Sequence, residues 1–232
     1  MHGRNIRRSP LGPRRRMSCS LPRDIQAVFF DFDGVILDNV HVKTAAFARM
    51  FQHYGPDVER EVVRYHMEHG GVSRYEKFRH YLENILGEQA DDERLAELGR
   101  QFAQIVYEQV IKAPFMPGAS ETLEALHGHV PLYVVSGTPE DELARIVEAR
   151  RLTGFFEEVH GSPRRKPEIV ADVLCRNAWE ASRCLFVGDA TTDHDAAMSL
   201  GMEFLGIVPE GAVSPFPPDT AIASRVAICP AS

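Results

Sequence analysis

Four stretches of the chain carry apolar residues without the in-and-out alternation of a half-exposed strand: residues 26–31 (QAVFFD), 131–135 (PLYVV), 184–187 (CLFV) and 204–208 (FLGIV). A strand that is apolar on both faces must be covered on both, as a central strand of a parallel sheet is by its helices. Residues 157–160 form a shorter candidate strand. Helical patterns separate these runs. Thr138-Pro139-Glu140-Asp141 offers an N-cap, a proline for the first helical position and two first-turn acids, which predicts a helix to about residue 150. Pro167 opens another toward Ala178, and residues 193–200 form a third, closed by Gly201. Strands alternating with helices predict an α/β fold with a doubly wound, Rossmann-like parallel sheet.

The interval between the first two strands is too long for a simple crossover. Residues 39–115 read as helices at 41–54, 57–69, 73–86 and 91–112. The last carries a 3.6-residue stripe of Leu95, Leu98, Phe102, Ile105, Val106 and Val110. Ser73-Arg74-Tyr75-Glu76 matches a capping box, and Gly70-Gly71 just ahead breaks the preceding helix. The expected organisation is a basic, unstructured leader at 1–23, a core built from 24–38 and 116–232, and an all-helical insertion at 39–115. A Pro-rich loop at 209–218 precedes a last short strand expected near 225–228.

Composition narrows the class of function. No apolar run approaches the ~20 residues of a membrane span. Cys19, Cys175, Cys184 and Cys229 lack metal-binding spacing and read as reduced thiols of a cytoplasmic protein. Net charge is −7, yet residues 1–23 hold seven arginines and no acid. That leader lacks the apolar segment of a secretory signal and reads as an extension ahead of Met17. The acidic remainder argues against nucleic acid as a partner.

Ligands of a parallel sheet bind at the carboxyl ends of its strands. After the first strand come Asp31 and Asp33, and after the second Ser136-Gly137-Thr138. Lys166 follows the short third candidate, Gly188-Asp189 follows the fourth run, and Asp193 lies four residues on. Carboxylates crowded on one rim repel, at about 4 kcal/mol for a pair ~4 Å apart at an effective dielectric near 20. A hard divalent cation relieves that repulsion, and an all-oxygen donor set suits Mg²⁺. Lysine, a glycine-flanked hydroxyl and the amides of Gly137 and Thr138 suit an anion, phosphate best. Metal, phosphate and a free carboxylate together point to phosphoryl transfer.

In order along the chain, DFDGV, VVSGT, KP and VGDATTD resemble the four motifs of the haloacid dehalogenase superfamily, over roughly residues 26–208. The helical insertion resembles the C1 cap of its phosphoglycolate phosphatase- and β-phosphoglucomutase-like members. The resemblance implies that Asp31 is the nucleophile, forming an aspartyl phosphate, and that Asp33 is the general acid and base. It implies Mg²⁺ held by Asp31, the Asp33 main-chain carbonyl and Asp189, with Asp193 as a further ligand or as an acceptor behind the ligands. Ser136 and Lys166 would bind phosphate, with Gly137 and Thr138 beside them. Arg74, then Lys43 and Lys77, are candidates to touch the leaving group, each weighed against a solvated helix face. Asp195 reads as compensating a helix dipole, Arg164 and Arg165 as surface and Trp179 as packing. The expected activity is a Mg²⁺-dependent phosphatase of a small phosphorylated metabolite, acting as monomer or homodimer. A phosphomutase with the same acids and a non-enzymatic receiver-like module are the alternatives. Dehalogenases and phosphonatases of the superfamily lack an acid at the position of Asp33.

Overall fold

The structure, a computed structural model, describes residues 20–231. Along the chain, β1 (Ala27–Phe30) is followed by α1 (Val40–Phe51), α2 (Pro56–Glu68), α3 (Arg74–His80), α4 (Asp92–Lys112) and α5 (Ala119–Leu126). Then come β2 (Leu132–Pro139), α6 (Glu140–Ala149), β3 (Glu158–Ser162), α7 (Lys166–Arg176), β4 (Cys184–Gly188), α8 (Thr191–Leu200), β5 (Glu203–Ile207) and β6 (Ile222–Ala223). The strands form one sheet in the order β3-β2-β1-β4-β5-β6, with every pairing parallel.

The unalternating runs are explained by burial on both faces. Val28 and Phe30 of β1 belong to the same packed cluster as Leu123 and Leu126 of α5 and Leu143, Ile146 and Val147 of α6. Ala27 and Phe29 lie on the opposite face with Ile169, Val170 and Val173 of α7 and Ala197 of α8. Successive strand residues point to opposite faces, so β1 must be apolar at every position. Strand order reverses at β1, which pairs with β2 on one side and β4 on the other. A crevice opens at such a switch point, beyond the carboxyl ends of the strands.

The helices α1–α4, inserted between β1 and β2, have an aromatic centre. Phe47 lies 4.4 Å from the Phe102 ring and 5.6 Å from those of Phe78 and Tyr81. Leu95, Leu98, Phe102, Val106 and Val110 of α4 are buried, as the stripe requires.

Several local expectations are corrected. The helix expected over 73–86 stops at His80 and continues as a π-helical turn, Tyr81–Leu86. Ser73 is the N-cap residue of α3 but makes no side-chain cap hydrogen bond, so the capping box does not form. β2 runs through to Pro139, and α6 begins at Glu140 with Pro139 in the N-cap place. Thr138 is therefore strand, and its hydroxyl donates to Asp33 instead of capping a helix. The final strand is Ile222–Ala223, not 225–228; Val226 instead donates its N–H to the Pro117 carbonyl and is buried beside α5. Of the basic leader, residues 1–19 lie outside the described residues, while Leu21 is buried and bonded through its N–H to the Cys229 carbonyl. Cys175 and Cys184 are free thiols, the first exposed and the second buried. Among the described residues no helix is long and apolar enough to cross a membrane.

Candidate active site

Regular strand geometry would send Asp31 and Asp33 to opposite faces of the sheet. The backbone prevents this by turning directly after β1. Ile36 and Leu37 N–H groups donate to the Phe32 carbonyl, Gly34 donates to Leu37, and Gly34 adopts a left-handed φ of +77°. Both carboxylates consequently line one cavity, with different partners.

Asp31 is buried. It accepts hydrogen bonds from the Phe32 N–H (2.7 Å) and from Lys166 Nζ (2.9 Å). Lys166, the first residue of α7, also donates to Asp193 Oδ1 at 2.5 Å, and Asp193 Oδ2 accepts the Ala190 N–H at 3.1 Å. Asp193 thus closes the start of α8 and holds Lys166 toward Asp31. One carboxylate oxygen from each of Asp31, Asp189 and Asp193 lies within 4.8 Å of the others. Glycine makes this approach possible: a Cβ on Gly34 would stand 2.1 Å from Asp189 Oδ2. Burial, with Asp193 and Asp33 nearby, lifts Asp31 to about 7 against the pull of Lys166. Burial and the neighbouring acids likewise hold Asp189 well above the usual carboxylate range. Burial would depress Lys166, but Asp193 and Asp31 hold it above its ordinary value. An acidic group that is forced to keep its proton, in an all-oxygen cluster, is what a divalent cation relieves, so these residues fit Mg²⁺.

Asp33 faces the inserted helices and the end of β2. It accepts hydrogen bonds from Asn39 Nδ2 (2.6 Å), Thr138 Oγ1 (2.9 Å) and Ser136 Oγ (3.5 Å), and it pairs with the Lys43 ammonium. Burial alone would raise it, but the charge and hydrogen bond of Lys43, with Asn39 and Thr138, take it down to about 2. The two acids are therefore driven apart in proton affinity by their surroundings, the usual mark of two different tasks.

The remaining expected residues are partly redistributed. Ser136 is buried, and its Oγ accepts the Thr138 N–H at 3.1 Å, so that amide is already engaged. A Cβ on Gly137 would lie 2.3 Å from the Gly71 carbonyl, where the inserted helices meet the core. Thr192 Oγ1 donates to the Gly70 carbonyl at 3.0 Å across the same seam. Arg74, Lys43 and Lys77 are not on a solvated face: all three line the cavity. Arg74 forms a two-pronged pair with Glu142 of α6 at 2.9 and 2.7 Å and stacks over Phe102, so its charge is spent within the protein. Arg164, Arg165 and Asp195 are exposed, and Trp179 packs edge-on against Tyr133. Sequence reasoning missed Asn39, His66 and Glu142. Asn39 sits where an N-cap is expected, but its amide goes to Asp33; nothing in the local sequence marks Glu142 as the partner of a residue 68 positions away.

The family model for haloacid dehalogenase-like hydrolases matches residues 25–201. The chain belongs to that family. It is 30% identical over 195 residues to a phosphoglycolate phosphatase of Pseudomonas fluorescens, covering 81% of this chain and 70% of that protein. A phosphoglycolate phosphatase of Pseudomonas savastanoi is 31% identical over 75% of this chain and 66% of its own length. The chain thus spans about two thirds of these relatives. In fold it is similar to a β-phosphoglucomutase of Clostridium difficile, with a TM-score of 0.70 at 16% identity, covering 87% of this chain and 92% of that one. It is accordingly an enzyme of the hydrolase family, placed by its relatives among the phosphate-monoester hydrolases. Family membership sets aside the receiver-like alternative.

Proposed function

We propose that the chain is a Mg²⁺-dependent phosphatase that hydrolyses a small phosphorylated metabolite through an aspartyl phosphate on Asp31. The observation that supports this most directly is the division of partners in one cavity: Asp31 with Lys166 and the acid trio, Asp33 with Lys43, Asn39 and Thr138. Asp31, Asp189 and the Asp33 main-chain carbonyl would hold the cation; Asp193, with both oxygens engaged, serves behind them. When bound, the cation neutralises charge on the phosphoryl oxygens and the nucleophile.

Lys166 orients the Asp31 carboxylate and draws the phosphate toward it. An Asp31 oxygen attacks phosphorus, the phosphoester P–O bond breaks, and the leaving oxygen takes a proton that the Lys43 ammonium supplies through its pair with Asp33. That pair then takes a proton from water as its oxygen attacks phosphorus. The Asp31–phosphorus bond breaks, restoring the carboxylate and releasing inorganic phosphate. Ser136 and the Gly137 backbone would steady the phosphoryl oxygens. Gly70 and Gly71, seated on Ala190 and Thr192, keep bulk water away.

The test is Asp31→Asn with an aryl phosphate. Phosphate release should fall at least about a thousandfold while the circular dichroism spectrum is kept. Near-normal turnover removes Asp31 as nucleophile. Isomerisation of a sugar phosphate without phosphate release would identify a phosphomutase.

A further inference from the structure

The cavity beside Asp31 has a volume of about 410 Å³, room for on the order of a dozen water-sized groups. Of the lysines and arginines in and just behind its wall, all but one meet a carboxylate. Lys166 has Asp31 and Asp193, Lys43 has Asp33, and Arg74 has Glu142. Lys77, on α3, lines the cavity with a residue exposure of only 3%, and among the described residues no carboxylate lies within salt-bridge distance of it. Its Nζ bonds His66 Nδ1 at 2.9 Å and stands 5.8 Å from the centre of the Phe47 ring.

His66, on α2 and also in the cavity wall, repeats the pattern. With Nδ1 accepting from the ammonium, its proton sits on Nε2, and Nε2 is buried without a hydrogen-bond partner. The His66 Nε2–H is thus left without an acceptor, and the Lys77 ammonium, bonded to the ring and main-chain carbonyl of His66, has no carboxylate. Buried polar groups are seldom left so, and an unpaired buried cation is costly. A ligand that brings an acceptor resolves both. Apolar side chains also line the cavity: Phe47, Val72, Phe102 and Met116, with Met67 and Val213 exposed to solvent.

We propose that Lys77, backed by His66, receives a carboxylate on the leaving group, and that the substrate is a phosphorylated hydroxy acid with an apolar body larger than that of glycolate. This rests on the phosphatase reading of the same cavity. Burial and the charge of Lys43 hold Lys77 down to about 7, and burial keeps His66 neutral, at about 3; an arriving carboxylate stabilises the ammonium form.

The experiment compares phosphoglycolate, phospholactate and phosphophenyllactate, each beside the alcohol phosphate that lacks the carboxylate. The unaltered enzyme should favour acid over alcohol in kcat/KM, with the two larger acids ahead of phosphoglycolate. In Lys77→Met the acid-to-alcohol ratio should fall at least about tenfold, the size of one lost charged hydrogen bond, with Lys77→Gln in between. Calorimetric binding of the matching non-hydrolysable phosphonates reads the same ratios without turnover. No phosphate release from any ester is a failure of the phosphatase reading, and the phosphonates still decide on Lys77. A ratio near one in the unaltered protein, or one that neither substitution moves, overturns the role of Lys77. A preference for phosphoglycolate over both larger acids overturns the apolar body.

Discussion

Asp31 and Asp33 differ by two positions and by opposite displacements of proton affinity, one raised to about 7 and the other lowered to about 2. Chain position alone does not do this; the turn at Gly34 does. Gly34 is needed twice, once for its left-handed φ of +77° and once because any Cβ would collide with Asp189. Gly34→Ala should cost about 1–2 kcal/mol of stability for the backbone conformation. It should cost on the order of a hundredfold in kcat/KM, because Asp189 is displaced from the trio. Urea unfolding and steady-state kinetics separate the two, and unchanged turnover would show that the close approach is dispensable. That Asp31, Asp33 and Lys166 come together at one end of the sheet was readable from motif order. The cap cations were not, because whether Arg74 or Lys77 has a free charge depends on Glu142, a distant residue that only folding brings near.

Among the elements, α3 and α6 are joined by the buried Arg74–Glu142 pair, which ties the inserted helices to the core. Removing one partner leaves a charge without compensation, whereas replacing both with apolar residues of similar volume removes the problem. Arg74→Met or Glu142→Met alone should lower the unfolding free energy by about 3 kcal/mol, and the double variant should recover most of that loss. Additive losses in the double variant would show that the pair is not coupled. The seam is completed by Gly137 against Gly71 and by Thr192 on Gly70. Element type was largely legible, since the unalternating runs and the α4 stripe each allow one reading. Element ends were less so: β2 passes through Pro139 and the helix after α3 widens to a π turn, since long-range contacts outweigh local propensity.

Across the whole molecule, the acid trio couples folding, protons and metal. Asp31 has a usual value of 3.8 and a folded value of about 7, so between these the folded chain binds the extra proton and this group's contribution to stability declines as pH rises. A divalent cation must displace that proton and compete with the raised proton affinity of Asp189. The gain in Tm on adding Mg²⁺ should therefore be small near about pH 5 and grow toward about pH 8, and a chelator should abolish it together with phosphate release. A gain independent of pH would separate the metal from this cluster. His66, held at about 3, acts in the opposite direction over part of the window, which is why the difference with and without Mg²⁺ is the quantity to measure.

The alternation of strands and helices, the covering of both sheet faces and the gathering of Asp31, Ser136, Lys166 and Asp189 at the carboxyl ends of the strands all follow from local pattern. Apolar periodicity dictates which faces must be buried, and a parallel sheet leaves few ways to bury them. Which charge meets which partner was settled only when the inserted helices closed on the core. Pairing a lysine or an arginine depends on distances of a few ångströms between segments far apart in the chain, and no local preference encodes those. That closure neutralised Arg74 with Glu142 and left Lys77 with His66 alone, facing the space a substrate would fill.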